Sequence, residues 1–418
     1  MRLKYFTNLS LAVTLALLNS CGGSGGSSNN SINDESSFEE IASDSTVIPT
    51  QEQESKEETI SSPTTDENEE IPTEEESTSS IDELNPENEP YYKYLWHIDS
   101  KNSVLNSKGY KVDENADINI LKAWKTTKGE GVRVAVIDDA FDVNHEDLKD
   151  NIYITYNADD DSSDVANKNP VDDEYGISHG NTCAGFIVAP INGKGVIGTA
   201  PKSKLIAIKL LSELDSDTIK AFEYAKNQGA KVISCSWGTE DISEALNNEL
   251  KSIYDAGITV VFASGNEGRS MDDDGINDES ESKWVIGVGA GGENNDVTSY
   301  SNYGKNIDIL APSGDTRESV GILGIDDSGD RGSDLQRDIV TNNYAFTDGT
   351  SFATPVTAGV VALMYSVNPN ITPLQVREIL TSTADKVGNS ESYIDGFDEK
   401  RAYGKINVEK AVNRAKEI

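Results

Sequence analysis

The chain has 418 residues, with 35 Lys+Arg against 73 Asp+Glu, a net charge of -38 and 36% apolar residues. Its length suits two domains, or one large domain with extras, and can bury a core without staples; three cysteines exclude a disulfide framework. The charge argues against nucleic-acid binding, because phosphates would be repelled, and favours solvated segments, cations or basic partners.

At the N-terminus, Arg2 and Lys4 precede an apolar run over 9–18. The run is too short to span a bilayer and has the anatomy of a secretory signal over 1–20. It ends in Leu18-Asn19-Ser20-Cys21-Gly22. This resembles a bacterial lipoprotein cleavage box, which would make Cys21 the lipidated first residue; the alternative is ordinary cleavage near Ser20. Residues 21–88 then read as an acidic, disordered tether. Residues 22–90 hold 20 acidic side chains and one Lys, Lys56. So little apolar surface cannot offset the entropy of ordering, and like charges keep the segment extended. An acidic binding tail is the other reading. Export and lipid anchoring would place the protein in a bacterial cell envelope, at the periplasmic face or the cell surface.

The folded part is expected over 89–418. Nearly continuous β-branched runs at 132–137, 205–211, 232–234, 258–263, 284–288 and 307–310 predict strands buried on both faces. Helical patterns lie between them. Residues 218–228 put Ile219, Phe222 and Ala225 on one stripe, and 243–256 do the same with Leu246, Leu250 and Ile253. Thr372-Pro373-Leu374-Gln375 is a capping box with Pro at the first helical position. The rhythm predicts an α/β fold, a mostly parallel sheet with helices on both faces.

Sites in such sheets form at the carboxyl ends of strands. There the sequence places Asp138 and Asp139, then Ser236, Trp237 and Gly238, then Gly265 and Asn266. Two small-residue segments read as tight helix starts: His179-Gly180-Asn181-Thr182-Cys183-Ala184-Gly185, and Gly349-Thr350-Ser351-Phe352-Ala353-Thr354-Pro355. Only three histidines exist, His97, His145 and His179. His179, beginning a helix ahead of Gly180, best fits a positioned base. Ser351 opens a helix, where backbone N–H groups favour developing negative charge. The order Asp138, His179, Ser351 is a known triad order. A lone Ser in such a turn would be read as a helix cap; the other segments make it a nucleophile.

These motifs resemble those of the subtilisin-like serine peptidases, the subtilases, over residues 89–418. The resemblance implies a three-layer subtilisin-like fold and an endopeptidase acting on proteins or peptides. It makes Ser351 the nucleophile, His179 the general base and then acid, and Asp138 the group holding the imidazole. The Asn266 amide and the Ser351 N–H would form the oxyanion hole. Ser236, Trp237 and Gly238 would pair with the substrate backbone as an added strand. Gly265 would line the primary specificity pocket. The Asp138-Asp139 doublet, Cys183 and the Ser236-Trp237-Gly238-Thr239-Glu240-Asp241 run resemble the kexin and furin branch. In that branch the acids matching Asp139 and Asp241 contact basic side chains, which implies cutting after Lys or Arg; acids at 272–274 and 278 would add to this. Calcium binding or plain solvation is the alternative for these acids. Gly176 stands where the branch has a further acid. No β-sandwich follows the catalytic segment, and 22–90 cannot supply the usual folded inhibitory propeptide.

The resemblance also implies calcium as a structural cofactor. The loop 190–196 matches the subtilisin calcium loop in length. By that match Asp147 and Asn192 give side-chain oxygens, Pro190, Lys194 and Val196 give carbonyls, and Glu89 completes the shell. The acids Asp159, Asp160, Asp161, Asp164, Asp172 and Asp173 would hold a second ion or form a solvated loop. Cys183 and Cys235 read as buried free thiols. The Gly- and Asp-rich stretch 315–343 reads as a mobile surface loop. No obligate oligomer is implied. A second functional reading is a catalytically idle surface lipoprotein that binds proteins through the same groove.

Overall fold

The computed structural model describes residues 4–5, 85–167, 178–239, 241–272, 277–329 and 343–418. The remainder of the leader, Cys21, and the tether up to residue 84 lie outside the described residues. So do Glu240, Asp172, Asp173, Gly176, Asp273 and Asp274.

Eleven strands appear among the described residues: β1 (Lys4–Tyr5), β2 (Arg133–Asp138), β3 (Ile152–Asn157), β4 (Lys204–Lys209), β5 (Val232–Cys235), β6 (Trp237–Gly238), β7 (Thr259–Ala263), β8 (Val285–Gly291), β9 (Ile309–Pro312), β10 (Ile322–Ile325) and β11 (Tyr344–Thr347). The helices are α1 (Ile120–Ala123), α2 (His179–Val188), α3 (Asp215–Asn227), α4 (Glu244–Asp255), α5 (Thr350–Val367), α6 (Pro373–Thr383) and α7 (Val408–Glu417). Seven strands form one parallel sheet in the order β3-β4-β2-β5-β7-β8-β9.

Period-2 alternation explains the three layers. Along β2, Val134 and Val136 pack into a core with α2, α5, α6 and α7, whereas Ala135 and Ile137 pack into a second core with α3 and α4. Both faces are therefore covered, as continuous apolar strands require. From β2 the chain goes to the edge strand β3 and returns inward through β4, then crosses to the other side of β2 and runs outward from β5 to β9, which makes the end of β2 a topological switch point. Asp138 ends that strand.

The expected helices form. Ser243 caps α4 through Leu246 N, and Thr372 with Gln375 makes the capping box of α6. α5 is long and apolar enough to cross a membrane, but 89% of that stretch is buried in the core. The described residues belong to one compact unit.

Two expectations need correction, and one strand lies outside those expected. Order begins ahead of Glu89: Pro86–Asn88 form a 3-10 turn capped by Asn85. β3 was not expected, because it is a half-exposed edge strand whose burial does not follow a clean alternation. Finally, 315–343 is not simply a surface loop. β10 is wholly buried and pairs antiparallel with β11. Gly324 permits this, since a Cβ there would lie 2.7 Å from the Phe186 ring of α2. Residues 330–342 lie outside the described residues.

Candidate active site

The His179 imidazole sits at the first turn of α2, with Nδ1 2.8 Å from Asp138 Oδ1. That contact is possible because residue 180 is glycine: a Cβ there would lie 2.7 Å from Asp138 Cβ and 2.8 Å from Ala140 O. With Nδ1–H donating to the carboxylate, Nε2 is the nitrogen left to take a proton. Burial favours the neutral ring. The Asp138 charge and hydrogen bond outweigh it and hold His179 well above the usual imidazole range.

Ser351 occupies the second residue of α5. Its Oγ donates to Ser236 O at 3.0 Å. Pro355 has no N–H to give the carbonyl four residues earlier, so the Ser351 carbonyl escapes the helical ladder. It accepts instead from Ser236 Oγ at 2.7 Å and Cys183 Sγ at 3.5 Å. The same Sγ lies 3.8 Å from His179 Nδ1, and Phe352 packs on the His179 ring with centroids 5.2 Å apart. The nucleophile and base segments thus share one buried cluster. Cys183 and Cys235 are buried free thiols, as expected, and burial pushes the Cys183 thiol up to about 11.

Asn266 Oδ1 accepts from Thr350 N at 2.9 Å and Thr350 Oγ1 at 3.0 Å. Both bonds need an acceptor, so they fix which end of the amide is oxygen. Its Nδ2 remains the donor, in the chain segment beside the Ser351 turn. Gly265 precedes it at φ 98° and donates to Thr350 Oγ1 at 3.1 Å.

Trp237 turns its side chain into the core, with Nε1 donating to Ile137 O at 2.8 Å and the ring packed against Phe262. β1 pairs with the backbone of β6 antiparallel, Lys4 opposite Gly238 and Tyr5 opposite Trp237.

The two acids expected to meet basic side chains differ sharply. Asp241 is exposed. The Asp139 carboxylate caps the N-terminus of α2 from outside the helix: Oδ2 accepts from His179 N at 3.1 Å and Oδ1 from Gly180 N at 2.8 Å. Burial and the neighbouring Asp138 charge push its carboxyl up to about 7. The structure therefore gives Asp139 a positioning task that its doublet with Asp138 concealed. Asp272 pairs with Lys305 at 3.1 Å, and Asp278 is buried, accepting from Ser280 N and Oγ.

Sequence reasoning missed three further residues. Asn302 holds the oxyanion loop, donating to Ser264 O and accepting from Glu267 N and Arg269 N. Glu279 is fully buried and accepts from Thr239 N at 2.9 Å and Thr239 Oγ1 at 2.8 Å, fixing the chain just past β6. Tyr300 reaches Gly349 N at 3.0 Å. None carries a motif signal, because each acts through contacts remote in sequence.

Of the residues expected to hold calcium, Glu89, Asp147, Asn192, Lys194 and Val196 meet, Lys194 and Val196 through their N–H groups. Asp147 Oδ2 accepts from Val196 N at 2.9 Å and from Tyr344 Oη at 3.0 Å, and Oδ1 from Asn192 Nδ2 at 3.1 Å. Glu89 accepts from Gly193 N at 2.7 Å and Lys194 N at 2.8 Å. Burial raises both carboxyls, Asp147 to about 7 with a contribution from the Glu89 charge. No described Lys or Arg pairs with either. A Cβ at Gly195 would lie 2.3 Å from Asp147 Oδ2, so the loop needs glycine to close on this carboxylate. Two buried carboxylates with no described cationic partner supply the hard oxygen donors that a cation such as calcium takes, while Asn192 turns Nδ2 to Asp147 and its Oδ1 accepts from Lys194 N at 3.0 Å. In the other acidic run, Asp159 accepts from Leu211 N and Ser212 N, and Asp161 pairs with Lys220 at 3.4 Å. Those carboxylates tie the loop to the segment after β4 and to α3.

A seven-stranded parallel sheet with an Asp-His pair at its switch point and a serine at a helix start is the architecture of a subtilisin-like fold. The Subtilase family profile matches residues 129–404, and the chain belongs to that family. It is 32% identical to a probable subtilase-type serine protease of Deinococcus radiodurans, covering 73% of this chain and 43% of that protein. It is 33% identical to a calcium-dependent protease of a Nostoc species, covering 78% of this chain and 51% of that one. This chain thus spans about half the length of these relatives. Among solved structures, a protease from Pseudoalteromonas arctica superposes with a TM-score of 0.63 at 27% identity, covering 78% of this chain and 99% of that one.

Proposed function

We propose that this chain is a serine endopeptidase working through Asp138, His179 and Ser351. The observation that carries the reading is the 2.8 Å bond from His179 Nδ1 to Asp138, set in one buried cluster with the Ser351 segment. Nε2 takes the Ser351 Oγ proton as the oxygen attacks the scissile carbonyl. Asp138 stabilises the imidazolium that results, and His179 then protonates the leaving amine. The Asn266 amide and the Ser351 N–H take up the charge on the tetrahedral oxygen. The substrate lies extended along β6, in the antiparallel sense in which β1 pairs there.

The finer reading is a preference for Lys or Arg before the cut. Its support is the exposed Asp241, because Asp139 is engaged by α2. Calcium at Glu89, Asp147 and Asn192, with carbonyls of Pro190, Lys194 and Val196, would neutralise the buried carboxylates and stiffen the loop. The calcium-dependent relative supports this. Export and a lipid anchor at Cys21 rest on the leader sequence.

A fluorophosphonate probe tests the central reading. Labelling of wild type that disappears in Ser351→Ala supports it, whereas no labelling of calcium-loaded wild type favours the idle, groove-binding alternative. Cleavage-site profiling tests specificity: cuts mainly after Leu, Phe or Tyr would refute the basic preference. A Cys21→Ala protein that still takes up palmitate would refute the anchor.

A further inference from the structure

The two donors of the oxyanion hole come from segments far apart in sequence, the loop at Asn266 and the turn at Ser351. Charge stabilisation needs both at a fixed separation, because misplacement by an ångström costs orders of magnitude in rate. One residue touches both segments from the outside. The Tyr300 carbonyl accepts from Gly268 N at 2.7 Å, anchoring it to the Asn266 loop. Its hydroxyl accepts from Gly349 N at 3.0 Å, two residues before Ser351, and donates to Gly314 O at 2.7 Å.

Gly349 needs such a hold. Its φ of 128° and ψ of 152° lie where only glycine settles comfortably, so the turn is not fixed by its own torsional preference. Ser313 Oγ donates to the Gly349 carbonyl at 2.8 Å. The Gly349 residue is therefore clamped at both its N–H and its C=O. Two residues beyond Tyr300, Asn302 N donates to Gly265 O at 3.0 Å, so the stretch carrying Tyr300 is itself bound to the loop. The ring is buried, and the Arg317 guanidinium lies 5.3 Å over it. Burial raises the phenol further above its usual range, so it stays a protonated, neutral donor.

We infer that Tyr300 is a positioning residue that sets the spacing between the Asn266 amide and the Ser351 N–H. This rests on the peptidase reading of the site. The hydroxyl touches no reacting atom, and its effect passes through Gly349.

Tyr300→Phe tests it, with turnover of a peptide anilide, melting temperature and affinity for a peptide boronic acid as readouts. The expected result is a kcat about tenfold lower or more, KM within about twofold, and boronate affinity falling by the same factor as kcat. In an Asn266→Ala background the same substitution should cost much less, since one donor is already gone. A purely structural role would lower the melting temperature and leave kcat of the folded fraction unchanged, which overturns the inference. A wild type that neither labels nor turns over overturns this and the peptidase reading together. A turning-over wild type matched by Tyr300→Phe overturns this inference alone. If Tyr300→Phe does not fold, Ser313→Ala releases the Gly349 carbonyl and takes its place under the same criteria.

Discussion

Gly180 and Asp138 are in contact so close that no side chain fits between them: a Cβ on residue 180 would lie 2.7 Å from Asp138 Cβ. The first turn of α2 can therefore bring His179 onto the Asp138 carboxylate only with glycine at 180. Gly180→Ala is expected to push α2 off the end of β2. Overpacking of this kind costs about 1–3 kcal/mol, and kcat should fall more than stability accounts for. Urea unfolding and single-turnover rates measured together check this.

Thr350 holds the Asn266 oxygen through both its N–H and its hydroxyl. Thr350→Val removes the hydroxyl's bond to Asn266 Oδ1 and its bond from Gly265 N, leaving the amide oxygen held by the Thr350 N–H. The expectation is a kcat lower by about tenfold with KM little changed, and Asn266→Ala should cost about 100- to 1000-fold. An equal rise in KM would mean that the pair binds the ground state instead.

His179 must be neutral to accept the Ser351 proton. The Asp138 charge, with Cys183 also facing the ring, holds it well above the ordinary imidazole value of 6.5 despite burial. Activity should thus be lost as pH falls through that raised value, placing the acid limb of kcat/KM above 6.5. Removing the charge in Asp138→Asn should move the limb down while lowering the rate. A wild-type limb at or below 6.5 would contradict the assignment.

His97 is a separate acid-labile point. It is fully buried, its Nδ1 has no partner, and burial lowers it to about 3. The unfolded chain binds this proton near 6.5, so the contribution to stability is present above that value. It is lost as pH falls from 6.5 toward 3, by about 1.4 kcal/mol per pH unit. Relative to a His97→Leu variant, wild type should lose about 2 kcal/mol between pH 7 and pH 5. A constant difference in urea midpoints over that range would rule this out.

Chelation tests the calcium loop. EDTA should lower the melting temperature of wild type, by the amount set by free calcium over its dissociation constant: about 2.7 kcal/mol at a hundredfold excess. Asp147→Asn should melt lower in calcium and respond little to EDTA. An Asp147→Asn protein that still gains as much from calcium as wild type would place the ion elsewhere.

Much of this was legible in the residues alone. Asp138, His179, Asn266 and Ser351 stand in short motifs because their chemistry depends on the turns that carry them. The central strands announce themselves as apolar runs, since both faces of the sheet are covered. β3, β10 and β11 did not, one being a half-exposed edge and the others sitting within or just after a Gly- and Asp-rich stretch. The order of Asp, His and Ser, and the small residues beside them, were determined locally. Only the tertiary structure decided that Asp139, one residue from Asp138, caps α2, and that Tyr300 and Ser313 clamp Gly349. Backbone N–H and C=O groups pair with whatever packing brings near, and a linear sequence does not state which distant segments will meet.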